Sequence, residues 1–332
     1  MMDIFVEWHS GGTELNWRST TEANDRQAVT VFLRRYGTPG APALVCVHGF
    51  PTSSIDYYAL AGELSEEFEI FALDFPGYGV SDKPPEPYKY SLYDDARLLV
   101  HAITEVWKLK EFRMITHDRG SSVGMIALGM LAEKSSLPTD IIITNGNIYL
   151  PLSNLTTFQT ALLAAETGRA TAAETTPELL AAGLGFTTFM PRRILEDPEI
   201  SALAKCFAYN DGIRVLPDTI QYLHERAADE KRWLEELSKI PVNATLVWGL
   251  HDTVSPLRVA NHVWQKYLRG MPGHSRYWVV PCADHYLQCD APAELAQIIR
   301  LTAQGKDIAL QLQTLGNRPD GAVLVDQKGA ES

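Results

Sequence analysis

The sequence predicts an α/β protein with a mostly parallel central sheet, flanking helices and an inserted helical lid. Three observations carry this expectation. Short, continuous apolar runs recur through the first half of the chain and return near its end, and amphipathic helical stretches separate them. Between these two halves lies a long segment rich in Ala, Thr, Leu and Glu with no strand pattern. Strands that alternate with helices imply parallel pairing, because each crossover lays a helix on one face of the sheet.

Taken in order, residues 14–18 and 29–34 alternate polar and apolar positions, which suits an exposed antiparallel hairpin. Ala43–Val47 is apolar throughout and reads as a strand buried on both faces. Glu69–Leu73, Phe112–Thr116 and Asp140–Thr144 follow as strands, and 244–248 and 276–280 resume the pattern. Helical periodicity covers 57–67, 92–108, 121–134, 256–268 and 291–303. The expected division is a core of 1–149 and 238–312, a helical lid of 150–237, and a loosely held polar tail of 313–332. A helical insertion between two halves of one sheet covers its carboxyl edge, where α/β proteins bind ligands. Within it, 161–185 has many small residues and is expected to be the most mobile part.

Composition narrows the function classes. The 332 residues carry 29 Lys+Arg against 41 Asp+Glu, a net charge of −12. That balance argues against nucleic acid and against an anionic membrane surface, both of which reward clustered cations. No apolar run reaches the roughly 18–20 residues that span a bilayer. The N-terminus carries acids where a secretory leader carries a basic region. Four cysteines without a CxxC pair suit a reducing cytoplasm and no structural zinc. The nine histidines show no metal-ligand spacing, and there is no GxGxxG, P-loop or HExxH. The expected partners are a small-molecule substrate and water, with no cofactor and no metal; oligomeric state is not readable.

The most informative segment is Ile115-Thr116-His117-Asp118-Arg119-Gly120-Ser121-Ser122-Val123-Gly124. A strand ends at Thr116 and a helix begins near Gly120, so the turn between them must be tight. Thr116 and Gly120 supply small residues on either side of the apex, which places Asp118 as a carboxylate nucleophile on a strand-to-helix elbow. Gly120-Ser121-Ser122-Val123-Gly124 also matches G-x-S-x-G, the signature of a serine nucleophile. Register counts against Ser122, which lies a helical turn beyond Asp118. A third reading makes Asp118 a helix N-cap.

His48-Gly49-Phe50-Pro51 follows the strand Ala43–Val47. A loop there brings a backbone N–H to the elbow, and the expected oxyanion pair is the N–H groups of Phe50 and Arg119. Pro51 is a candidate for a cis bond, and His48 is expected to hold the loop. Asp252, just beyond a parallel strand, and His285, in the loop after the next, complete the order nucleophile, acid, histidine. Asp252 would fix the tautomer of His285; Asp284 is the rival acid, poorly placed beside it in sequence. The loop Asp74-Phe75-Pro76-Gly77-Tyr78-Gly79 reads as structural.

Together these motifs resemble the Asp-nucleophile branch of the α/β-hydrolase fold, which contains epoxide hydrolases and haloalkane or haloacetate dehalogenases. The likeness covers about residues 25–305. It resembles in particular the mesoderm-specific transcript protein family, through His48-Gly49-Phe50-Pro51-Thr52-Ser53-Ser54, Ala72-Leu73-Asp74-Phe75 with Ser81-Asp82-Lys83-Pro84, and Asn210-Asp211-Gly212, Gln221-Tyr222 and Arg232-Trp233. The branch implies attack by Asp118 to form an alkyl ester, which water activated by His285 then hydrolyses. For an epoxide hydrolase it implies lid tyrosines that polarise the ring oxygen: Tyr222 at the matching position, with Tyr149 and Tyr209 as candidates for the second. Haloalkane dehalogenases carry an indole after the nucleophile and usually Asn after His-Gly, where this chain has Arg119 and Phe50. Haloacetate dehalogenases carry Asp-Arg-Gly at the elbow, so Arg119 matches their substrate clamp. Their second clamp arginine falls at Ser122, and their His-Trp halide pair is not evident. The expected function is an epoxide hydrolase acting on a neutral, largely apolar small molecule. A dehalogenase is the alternative, followed by a serine esterase using Ser122 and a non-catalytic binding protein.

Overall fold

A computed structural model of the chain describes residues 3–190, 197–303 and 321–329. Nine strands form one sheet: β1 (Gly12–Arg18), β2 (Ala28–Gly37), β3 (Ala43–Val47), β4 (Glu69–Leu73), β5 (Phe112–Thr116), β6 (Asp140–Thr144), β7 (Asn243–Gly249), β8 (Ser275–Val280) and β9 (Val323–Lys328). Their order is β1-β2-β4-β3-β5-β6-β7-β8-β9. β1, β2 and β4 pair antiparallel, and β4, β3, β5, β6, β7 and β8 pair parallel.

The interior strands Ala43–Val47, Glu69–Leu73 and Asp140–Thr144 are buried at every position. Their continuous apolar runs suit a sheet covered on both faces. Helices Tyr58–Leu64, Leu92–His101, Arg119–Glu133, Leu257–Val263 and Pro292–Ala303 connect and cover the strands. Between β6 and β7 the described residues contain helices and turns but no strand: Thr157–Leu163, Gly168–Glu174, Pro177–Thr187, Pro198–Ala208 and Tyr222–Leu237. The segment expected to be mobile thus lies within the first three of these helices and their links.

The tail needs correcting. Residues 313–320 lie outside the described residues, but Val323–Lys328 is a strand paired antiparallel with β8 rather than loosely held chain. Its alternation explains this: Leu324 is buried and Val325 exposed. Asp326 also accepts hydrogen bonds from the Trp264 indole at 3.0 Å and from Arg269 at 2.8 Å.

Candidate active site

The elbow forms because β5 stops at Thr116 and the next helix begins at Arg119. This turn holds Asp118 at φ 47°, ψ −118°, a region that residues with a Cβ rarely occupy. The surroundings over-determine it. A Cβ on Gly120 would meet the Val47 carbonyl oxygen at 2.4 Å, and one on Gly49 would meet Asp118 Cβ at 2.7 Å. The Asp118 N–H donates to the Asn145 carbonyl at 2.8 Å. No side-chain cap bond from Asp118 reaches the helix that follows, so the N-cap role is not the one its carboxylate plays.

Asp118 is 2% exposed. Its Oδ2 accepts the Phe50 N–H at 3.0 Å, while Oδ1 accepts no hydrogen bond from the described residues. Burial alone would raise its pKa; the charges of His285 and Arg226, with the Phe50 N–H, outweigh this and hold the carboxyl below its ordinary value.

His285 sits in the loop after β8, and its Nδ1 lies 2.9 Å from Asp252 Oδ2. Asp252 follows β7 and is fixed from three sides. Its Oδ1 accepts the N–H groups of Val254 and Ser255 at 2.8 and 2.7 Å, and Oδ2 accepts Asn145 Nδ2 at 2.7 Å. Asn145 Oδ1 in turn accepts the Gly249 N–H at 2.8 Å. One asparagine therefore ties together the ends of β6 and β7 and the turn that carries Asp118. Burial pulls the His285 pKa down, but Asp252 and Asp118 outweigh it and lift it to about 9. Asp284 serves the main chain instead, accepting the His285 N–H at 2.7 Å.

The loop expected to supply the Phe50 N–H is braced from below. His48 Nδ1 lies 2.9 Å from the Gly49 carbonyl and Nε2 accepts the Phe75 N–H at 3.1 Å. Burial pushes its pKa down to about 4, so the ring is a neutral strut. Asp74 accepts the N–H groups of Ser54 and Val80, both at 2.9 Å, and joins this loop to the next. The Phe50–Pro51 bond is cis. Arg119 is the first residue of its helix, so its N–H has no intrahelical acceptor.

The other expected site residues divide. Tyr222 is fully buried, its ring 5.9 Å from that of Phe50, and its hydroxyl bonds to none of the described residues. Tyr149 and Tyr209 are not brought to the site. Tyr149 stacks on His262 at 4.2 Å, drawn away by the helix Leu257–Val263. Tyr209 is 41% exposed where the chain breaks into an irregular turn, with Lys83 Nζ 5.2 Å from its ring. The Arg119 side chain is not a free clamp: it is buried against Phe75, Tyr78 and Tyr222 and ion-paired with Asp95. A guanidinium already matched by a carboxylate attracts a substrate anion weakly.

A cavity of about 490 Å³ lies over Phe50, His285 and Tyr286, walled by Phe158, Leu180 and Leu184 from the lid. Asp118 and Tyr222 sit behind this surface rather than lining it. Among the described residues no group of three or more His, Cys, Asp or Glu is placed to hold a metal ion. No described helix is long and apolar enough to cross a membrane.

Sequence reasoning missed two residues. Asn145 carries no motif; its role arises only when three strand ends converge. Arg226 comes from the lid helix Tyr222–Leu237, and its Nε donates to Ser122 Oγ at 3.0 Å. Its one signal in the sequence is its spacing of four from Tyr222, which puts both on one helix face.

The sequence profile of the alpha/beta hydrolase family matches residues 44–298. The chain belongs to that family. It is similar to LipZ of Mycobacterium tuberculosis, a protein named as a hydrolase, with 30% identity over 303 residues, covering 88% of this chain and 95% of that protein. It is also similar to the human mesoderm-specific transcript homolog protein, with 27% identity over 267 residues, covering 76% of this chain and 77% of that one. A solved structure of the haloalkane dehalogenase DatA from Agrobacterium tumefaciens aligns with a TM-score of 0.70. Identity is 15%, over 92% of this chain and all of that one, a likeness of fold alone.

Proposed function

We propose that this hydrolase forms an alkyl ester on Asp118 and resolves it with water, as an epoxide hydrolase acting on a neutral, largely apolar small molecule. The observation that carries this reading is the carboxylate of Asp118, held at the elbow apex through Oδ2 while Oδ1 stays unengaged. In the first step Oδ1 attacks an electrophilic carbon. The C–O bond of the ring breaks, and its electron pair leaves on the oxygen, which takes a proton from Tyr222. In the second step His285 takes a proton from water, whose oxygen attacks Asp118 Cγ. The Phe50 and Arg119 N–H groups stabilise the resulting oxyanion. Collapse expels the alkoxide, which His285 reprotonates; the proton left on the Asp118 carboxyl returns to the Tyr222 phenolate, and both groups are restored.

The electrostatics support this order. While Asp118 is charged, His285 sits between two carboxylates and keeps its proton. Ester formation neutralises Asp118, so the pKa of His285 falls at the step that needs a base. The apolar cavity walls and the net charge of −12 favour a neutral substrate. A cytoplasmic setting belongs to the same reading, from the low cysteine content.

A dehalogenase is the second reading. It shares the first step, and the Nε and Nη1 of Arg119 bond to none of the described residues, which leaves donors near the elbow. The serine route is disfavoured because Ser122 Oγ accepts from Arg226, a cation that cannot act as a base. A turnover screen on epoxide and haloacid or haloalkane panels, reading diol and free halide, separates these readings. Diol from the epoxides, abolished by Asp118→Asn and retained by Ser122→Ala, is the expected result; the reverse pattern sinks the assignment.

A further inference from the structure

The scheme above leaves one buried cation unused. Arg226 is fully buried on the lid helix, its guanidinium carbon 4.9 Å from the centre of the Tyr222 ring. Its Nε donates to Ser122 Oγ at 3.0 Å and its Nη2 to the Asp118 carbonyl oxygen at 3.4 Å, while Nη1 has no partner among the described residues. No described carboxylate forms an ion pair with it. Glu230, one turn along the same helix, gives its Oε2 to the Leu150 N–H at 2.8 Å.

A guanidinium does not shed its proton on burial, so it must be matched by an anion. The charged groups around the elbow are otherwise matched. Arg119 is paired with Asp95, and His285 with Asp252. His48 and His117 are neutral, with pKa values pushed down by burial. Tyr78, Tyr222 and Tyr286, the remaining titratable groups facing Asp118, are pushed up by burial and stay neutral. Two carboxylates feel the charge of Arg226: Glu230, whose Oε2 is committed to the Leu150 N–H, and Asp118, whose own carbonyl Nη2 touches and whose Oδ1 is unengaged; Asp118 is therefore the anion at the elbow that Arg226 matches.

We propose that Arg226 is the lid-borne counter-charge of Asp118, holding its carboxylate ionised in a dry site and, through Ser122, fixing the lid helix in register with the elbow. Arg226 is thus a positioning residue. Its catalytic consequence rests on Asp118 being the nucleophile, but the charge pairing itself does not. During attack the negative charge moves from Asp118 to the departing oxygen or halide, so the fixed cation serves both ends of the step.

The test is a carbon-13 titration of the intact protein labelled at its aspartate carboxyls, with the Asp118 signal assigned by Asp118→Asn. Arg226→Met is expected to raise the proton affinity of Asp118 by about tenfold or more, while Arg226→Lys, which keeps the charge, restores most of the shift. If Arg226→Met does not fold, Arg226→Gln carries the same expectation. Ser122→Ala removes the contact but not the charge and should leave the midpoint in place. An unchanged midpoint in the neutral variants overturns the proposal. Adduct formation against pH in a His285→Gln background reads the consequence separately. An acid limb moved to higher pH supports the pairing, and an unmoved limb overturns it. A shifted titration with no adduct at all retains the pairing and counts against Asp118 as nucleophile.

Discussion

The sheet edge and the lid meet at one cavity by different means. On the sheet side, Asp118, Asp252 and His285 each stand in a loop directly after a parallel strand, and buried hydrogen bonds to neighbouring strand ends fix them. On the lid side, helices Thr157–Leu163 and Pro177–Thr187 offer leucines, a phenylalanine and threonines, with few fixed polar groups. A parallel strand delivers its next residues to one place whatever the loop contains; a lid helix can be repacked without moving that place. On the proposed reading, chemistry belongs to the sheet edge and selection to the lid. Tyr222 and Arg226 are where the lid crosses over.

Changes at the sheet edge should lower rate more than affinity. The largest loss is expected for Asp118→Asn, on the order of 10⁴-fold or more in turnover, measured by steady-state kinetics. Asp252→Asn should reduce hydrolysis of the ester about 10²- to 10⁴-fold. Its pH dependence is diagnostic. In the unaltered protein, single-turnover ester hydrolysis should rise with pH to a plateau, with a midpoint below the resting His285 value of about 9. Loss of the Asp252 charge should move that midpoint further towards acid. The same shift bears on folding. A histidine raised from 6.5 to about 9 gives stability that is full below pH 6.5 and lost as pH rises through 9. Thermal melts should show that decline, and His285→Gln should flatten it.

Changes in the lid should be smaller and depend on substrate. Tyr222→Phe should slow epoxide opening about tenfold while sparing any halide-releasing activity. Equal effects on both would separate Tyr222 from ring opening. Gly183 lines the cavity, and a Cβ there meets nothing within 4 Å. Gly183→Leu should raise KM for bulky substrates several-fold with little change in kcat. It should also stabilise the fold by about 0.5–1 kcal/mol through helix propensity.

The same division explains what the sequence made legible. Ala43–Val47, Glu69–Leu73, Phe112–Thr116 and Asp140–Thr144 match their expected strands residue for residue, because a run buried on both faces leaves no register to guess. Asp118, Asp252, His285 and Phe50 come together because each follows such a strand, so locating the strand locates the residue. Tyr149 and Tyr209 failed for the converse reason. Lid helices carry no strand to anchor them, and an aromatic there turns to whichever neighbour is at hand: Tyr149 stacks on His262, and the exposed Tyr209 ring lies under the Lys83 ammonium. Arg119 matched a motif by position, but Asp95, distant in sequence, decides its side chain. The strand Val323–Lys328 was missed because its alternation is short and its partner, β8, lies far back in the chain.

The central claim is that the chemistry passes through an ester on Asp118. A single turnover in heavy-oxygen water, followed by mass spectrometry of the peptide containing Asp118, tests it most directly. Water attacks Asp118 Cγ in this account, so the solvent oxygen should appear in the Asp118 carboxylate and the product should carry an oxygen from the protein. Heavy oxygen in the product with none in Asp118 would mean that water attacks the substrate itself, and the account would fail.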